Sequence, residues 1–469
     1  MSHREITSSR SPTKGFNLGL QPLPAWLAIL ALVLFSALCL LIHAGSILRL
    51  TYPLLALAVG VFLYLRYPIL YIGFTWWVWF LTPLVTRLAD YQSGWDAQRL
   101  MMVAPYLVTL VTLATFFKNL PRSYREGGLP FVLTFAGVFY GFVIGLIMNS
   151  PAAAARSLLD WLSPVSFGFH IFMNWRDYPN YRQNIQRTFL WGVLLVGMYG
   201  LMQYVVAPDW DRLWLVTSKM TSSAGRPEPF GFRLWSTMHE PAACGYLMMT
   251  GGLLLLNSNN PLRIPAALFG YLTLLLTMVR TVWGAWLVGF ITLITSLKPQ
   301  LQMRLIITIL VVTVCVIPLT TILPLSDGLT SRLQSFSNLE NDTSANDRKA
   351  LYQGLLNIAL SEGFGQGLGS GEPIDSGILV ILLTLGWFGT SFYLGGIILL
   401  LFILFQGSES RFDPFANTAR SISIGLIGII FFGSPTLSIY GMFFWGFSAL
   451  GMAARKYYQH QLITELKRG

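Results

Sequence analysis

Apolar residues recur along the chain in stretches close to the roughly 20 residues a helix needs to cross a bilayer. They predict spans near 24–44, 47–65, 68–86, 100–117, 129–148, 157–174, 188–206, 240–256, 264–280, 281–297, 305–323, 376–403, 420–434 and 436–453. The halves of 264–297 and 420–453 are short, so the expectation is twelve to fourteen helices. The polar connections are brief except at 207–239 and 324–375. No linker or internal repeat interrupts the pattern. The predicted fold is an all-α, polytopic transmembrane bundle, one domain over 1–469 with two long loops. The polar N-terminal arm leads into Pro24 and a span without a small-residue cleavage site, so no cleavable signal peptide is expected.

Composition agrees. A hydrophobic fraction of 54%, 11% charged residues and a mean hydropathy of +0.59 exclude an ordinary soluble domain. The charge pattern then orients the bundle. With the arm bearing Arg4, Arg10 and Lys14 inside, alternate connections carry Arg66, Lys118, Arg122, Arg125 and Arg176, and later Arg411 with Arg420 and Arg455 with Lys456. That side holds nineteen Lys/Arg against six Asp/Glu, and the other twelve against fourteen. This is the positive-inside pattern with both termini cytoplasmic. The net charge of +11 therefore divides into +13 inside and −2 outside. It records topology and contact with anionic membrane lipids, and no nucleic-acid partner is expected.

Cys39, Cys244 and Cys315 all fall in apolar spans, and the five histidines are scattered. No HExxH or CxxC occurs, so neither a metal site nor a cofactor is predicted.

The long loops hold the candidate chemistry. In the first, Trp210, Trp214 and Trp235 suit either an interfacial belt or a saccharide path, and AGRPEPFG predicts irregular backbone. In the second, Ser344-x-x-Asp347 reads as a capping box opening a surface helix closed by Gly363. The glycines at 363, 365, 367, 369 and 371 suggest backbone free to approach a ligand.

Arg280 is a lone cation in LLLTMVRTVWGAWLVGF. It is either a snorkelling side chain or an anion receptor, since a cation left at a helix centre costs roughly 2.5–3.5 kcal/mol. Arg233, Arg226, Arg332 and Arg348 are solvated loop charges or parts of a diphosphate clamp. Thr237-x-x-Glu240 before Pro241 reads as a capping box, with His239 a candidate for proton transfer. Asp375 is either a helix N-cap or a base for a sugar hydroxyl, with Glu362 and Glu372 competing.

Taken in order, these segments resemble the O-antigen ligase and O-antigen/exopolysaccharide polymerase superfamily, most clearly over 230–390. FRLWSTMHEPAACGYLMM is similar to the family's Arg-containing segment leading into a helix. LLLTMVRTVWGAW resembles its T-x-S-R-[GT] helix end, with Val279 at the usual Ser. NDRKALYQGLLNIALSEGFGQGLGSG is similar to its R-x-x-x-W…G-x-G region, with Tyr352 at the Trp, and DSGILVILLTLGWFG to the helix that follows. The resemblance implies a metal-independent inner-membrane glycosyltransferase working on undecaprenyl-diphosphate-linked oligosaccharide at the periplasmic face. It implies donor-binding arginines at Arg233 and Arg280, with Arg348 weaker, and a chain-length-regulating copolymerase as partner. Where ligases carry an acceptor-activating histidine, this chain has Asp375-Ser376. That favours a polymerase of repeat units over a ligase, with Asp375 as base. A rival of another class is a polysaccharide or lipid-oligosaccharide transporter, which calls for broken helices in paired repeats.

Overall fold

The computed structural model describes residues 22–296, 302, 303, 306, 343–361, 363–371, 374–406 and 412–467. Its first helices are α1 (Leu23–Leu41), α2 (Gly45–Arg66), α3 (Pro68–Ser93), α4 (Val103–Leu110), α5 (Leu113–Ser123), α6 (Leu129–Met148), α7 (Pro151–Met173) and α8 (Tyr178–Val206). After these come α9 (Asp209–Thr217), α10 (Thr221–Ala224), α11 (Pro241–Leu256), α12 (Arg263–Leu276) and α13 (Arg280–Thr295). The last are α14 (Thr343–Ser361), α15 (Gly377–Phe405), α16 (Pro414–Ile427) and α17 (Ser438–Leu466). Among the described residues there is no β-strand, only an isolated bridge between Gly225 and Phe232.

Seven described segments are long and apolar enough to cross a membrane: α1, α2, α3, Leu100–Ser123, α6, Trp175–Val206 and α15. The protein is thus a multi-pass helical membrane protein. Helices α11, α12 and α13 are apolar but shorter, whereas α7 and α17 have the length with more polar sequence. The span expected at 305–323 lies outside the described residues.

Several predicted boundaries move for identifiable reasons. Helix α7 begins at Pro151 because the Ser150 hydroxyl accepts from Ala153 N at 3.2 Å, a true N-cap. Asp413 caps α16 through Phe415 N at 2.9 Å, so Arg420, expected in a connection, lies buried inside that helix. The span expected at 100–117 is divided into a 3₁₀ turn (Leu100–Met102), α4 and α5.

The glycine-rich run corrects its expected role. Gly367, at φ 75°, lies so close to α6 that a Cβ there would stand 2.3 Å from Gly145 N. Opposite, α15 breaks at Gly386, with φ 59° and ψ −169°. The break frees the carbonyls of Leu383 and Thr384, which accept from Gln366 N at 2.8 Å and Gly367 N at 2.9 Å. The freed Trp387 N donates to Gly363 O at 2.9 Å. The run is a strap that repairs a broken helix, as apolar surroundings demand of unpaired backbone.

Loop 207–239 also has more structure than its composition suggests. It holds α9 and α10 and its own small core, in which Trp214, Trp235, Phe232 and Leu234 are buried. Trp214 and Trp235 are therefore packed inside the loop and do not form an exposed interfacial belt. Trp210 donates to the Tyr199 hydroxyl at 2.7 Å.

Candidate functional site

Among the described residues, the N-termini of α11, α13, α15 and α17 lie at one end of the bundle. Gly245 faces Val282 and Gly289 faces Leu253, so α11 and α13 run parallel with their first turns level. The first residue of α15, Gly377, donates to Gly433 O at 2.9 Å just beyond α16, which runs antiparallel to α13. At the head of α17, the Tyr440 hydroxyl donates to Glu240 Oε1. The positive dipole ends of these four helices therefore meet where loop 207–239 also lies.

A buried ionic clamp fixes that loop. Arg87, at the far end of α3, pairs with Asp211 of α9 at 2.7 Å, and neither side chain has any exposed surface. The same guanidinium donates to Ser236 O at 2.5 Å and to Met238 O. Gln203 and the Tyr199 hydroxyl donate to Asp211 Oδ2 at 2.8 and 2.9 Å, and Ser236 N donates to Gln203 Oε1 at 2.9 Å. The segment running into α11 is thus held by side chains from α3, α8 and α9.

Next to the clamp lies a cavity of about 230 Å³. Its wall includes Arg99, Tyr106, Trp214, His239, Glu240 and Ser438. At less than the ~300 Å³ usual for a drug-sized ligand, it suits one chemical group rather than a whole oligosaccharide. His239 stacks on Trp214, with centroids 5.3 Å apart and planes 4° from parallel. Both its ring nitrogens are buried without a hydrogen-bond partner. Burial, with Arg87 and Arg99 nearby, holds its pKa well below the ordinary imidazole value, so the ring is neutral.

Glu240 is displaced the other way. Burial raises its pKa and Asp375 raises it further, against the Tyr440 hydrogen bond and the Arg99 charge, which lower it. The expected capping box is absent here. Glu240 itself occupies the N-cap of α11 without a side-chain cap bond, and Thr237 Oγ1 is buried without a partner. Proline at the first helical position is retained.

Around this pair, the Tyr106 hydroxyl donates to Asp160 Oδ1 at 2.5 Å and lies 2.8 Å from Ser438 Oγ. Arg99 takes a left-handed backbone, φ 52°, in a turn shaped by Asp96, which accepts from Leu100 N at 2.8 Å. Such a conformation in an arginine carries strain and marks a constrained position.

The sequence candidates divide as follows. His239 lines the cavity, and exposed Asp375 acts electrostatically on Glu240. Asp375 is not the N-cap of α15, a position that Ser376 occupies. Arg280 is the first residue of α13, at the same end, and is half-buried. Arg233 is turned to its own loop, donating to Ser223 O at 3.0 Å, although Leu234 N ties that segment to Leu276 O at 3.0 Å. Arg226 is exposed and pairs with Glu228 at 3.7 Å. Arg348 belongs to α14, whose expected existence the structure bears out. Arg332, Glu362 and Glu372 lie outside the described residues. Sequence reasoning missed Arg99, Tyr106, Asp160 and Tyr440. Asp160, a carboxylate inside an apolar span, was the available signal.

Fold and site together define a multi-pass helical membrane protein with a polar, titratable cavity at one end of its bundle. No family model, curated protein or solved structure matches the chain.

Proposed function

We propose that this chain is a membrane-embedded glycosyltransferase of the O-antigen ligase and polymerase type, polymerising exopolysaccharide or O-antigen repeat units. The observation that carries the reading is the meeting of four helix N-termini with Arg99, Arg280, Glu240 and His239 at one end of the bundle. In this reading the bundle has twelve to fourteen spans in a bacterial inner membrane. The biased Lys/Arg distribution supports both termini in the cytoplasm and this end in the periplasm.

The donor is an undecaprenyl-diphosphate-linked oligosaccharide. Arg280, Arg99 and the helix dipoles hold its diphosphate and stabilise the charge that grows as it leaves. The acceptor hydroxyl oxygen forms the new bond to the anomeric carbon while the bond from that carbon to the diphosphate oxygen breaks. Glu240 takes the hydroxyl proton, because its raised pKa brings a carboxylate closer to operating pH as a general base. Asp375, exposed and acting electrostatically on Glu240, tunes it and competes with it for the base role. Neutral His239 offers the entering sugar a donor and an acceptor.

The test is reconstitution in proteoliposomes with an undecaprenyl-diphosphate-linked repeat unit. A ladder of products is expected, abolished by Arg280→Ala in protein that inserts normally. A single unit transferred to a lipid core or protein acceptor makes the chain a ligase. Absence of transfer, with unmodified lipid moved across the bilayer instead, supports a transporter and overturns the proposal.

A further inference from the structure

A separate cavity of about 700 Å³ runs between α1, α2, α3 and α8. Its lining reaches from Leu70 to Val85 along α3, about 22 Å at the helical rise of 1.5 Å per residue. Nearly all of that length is apolar, so its length and character suit a hydrocarbon chain within the roughly 30 Å bilayer core. Its polar residues concentrate toward the start of α8, where Asn184, Arg187 and Thr188 line it. Two buried atoms of the lining have no partner, Asn184 Oδ1 and the indole Nε1 of Trp26.

Arg187 belongs to a second cavity as well. This one, of about 360 Å³, is lined by Arg182, Gln183, Gln186, Asn257 and Asn260 together with Asp413. The Asp413 carboxylate is already engaged, accepting from the Tyr178 hydroxyl at 2.5 Å and the Tyr458 hydroxyl at 3.0 Å while capping α16 and facing Arg182 at 3.5 Å. The arginine and amide side chains therefore set the character of the cavity. Amides supply both donors and acceptors, suiting a neutral polyol beside an anion. An apolar groove and a polar chamber that share one exposed arginine have the outline of an amphipathic ligand.

We infer that the two cavities hold an anionic glycerophospholipid with a polyol head. One acyl chain lies in the α1–α3–α8 groove, the phosphate pairs with Arg187, and the head group sits among the amides. The head-group end of this site is at the opposite end of α8 from the His239–Glu240 cavity, and no residue lines both this site and that cavity. The inference therefore does not rest on the proposed transferase activity.

Native mass spectrometry of the full chain, released from mild detergent after equilibration with matched-chain phosphatidylglycerol or phosphatidylcholine, tests it. Wild-type protein should retain phosphatidylglycerol on the order of fivefold better, since a basic residue near the lipid surface contributes about 1 kcal/mol toward anionic lipid. Arg187→Ala should erase the preference and Arg187→Lys should keep most of it. Ala37→Trp, which fills the groove far from the head, should lower retention of both lipids. Equal retention by wild type, a preference that survives Arg187→Ala, or retention unaffected by Ala37→Trp would each overturn the inference. So would displacement of phosphatidylglycerol by undecaprenyl phosphate, which would identify the groove as an isoprenoid site.

Discussion

Two buried polar regions sit side by side at the loop end of this bundle and differ in one respect. In the clamp, the enclosed charges of Arg87 and Asp211 pair at 2.7 Å, with Ser236 O and Gln203 as further hydrogen-bond partners. Arg87 Nε and Asp211 Oδ1 meet there as an ion pair and not as an aligned hydrogen bond. One residue past Met238, the pattern stops. His239 has two buried nitrogens without partners, and Glu240 carries a raised pKa beside Arg99 and Asp375. A satisfied network rigidifies, while polar groups left incomplete around a cavity are held ready for something else to complete them. The clamp thus reads as the support and the cavity as the place of work.

The largest effect should come from breaking the support. Arg87→Ala or Asp211→Ala strands an uncompensated buried charge, a loss of roughly 3–5 kcal/mol of stability. Thermal unfolding in detergent should fall sharply, and loop 207–239 should become protease-sensitive. Stability close to wild type would show that the clamp does not carry the loop.

Breaking the cavity should have the reverse signature. Glu240→Gln keeps shape and the Tyr440 contact but removes the proposed base, so turnover should fall roughly 10²–10⁴-fold while the melting temperature stays near wild type. The pH profile sharpens this. On the proposed mechanism transfer needs Glu240 ionised, so the rate should rise with pH through its raised pKa. Asp375→Asn removes a negative neighbour, lowers that pKa and moves the acid limb to lower pH. Arg99→Ala removes a positive neighbour and moves it higher. An acid limb that neither change displaces would detach Glu240 from the chemistry. Asp375→Asn abolishing turnover outright would make Asp375 the base instead.

The two regions were unequally legible in the sequence. Long apolar stretches mark helices whatever their neighbours, so α1, α2, α3, α6 and α15 lie close to their expected places. Glu240 was visible, but its spacing from Thr237 fitted a local cap, and only the tertiary hydrogen bond from Tyr440 and the charge of Asp375 set it apart. Arg87 and Asp211 lie far apart in sequence, and no periodicity announces an ion pair between α3 and α9. The glycine run looked free because glycine permits many conformations. The broken α15 that it repairs becomes visible only through Leu383 and Thr384, whose carbonyls it satisfies.

Arg233 stands between the two regions and offers the smallest and most discriminating effect. Its guanidinium donates to Ser223 O, an exposed bond inside the loop, whose loss should cost no more than about 0.5–1.5 kcal/mol. If that is its whole task, Arg233→Ala should lower stability slightly and leave transfer within about twofold of wild type, a barrier change well under 1 kcal/mol. Arg233→Lys should behave in the same way, since a lone carbonyl does not require a planar fork. A diphosphate would require one. A large rise in KM for the lipid donor in both variants, without matching loss of stability, would move Arg233 out of the support and extend the working site along the segment that Leu234 ties to the end of α12.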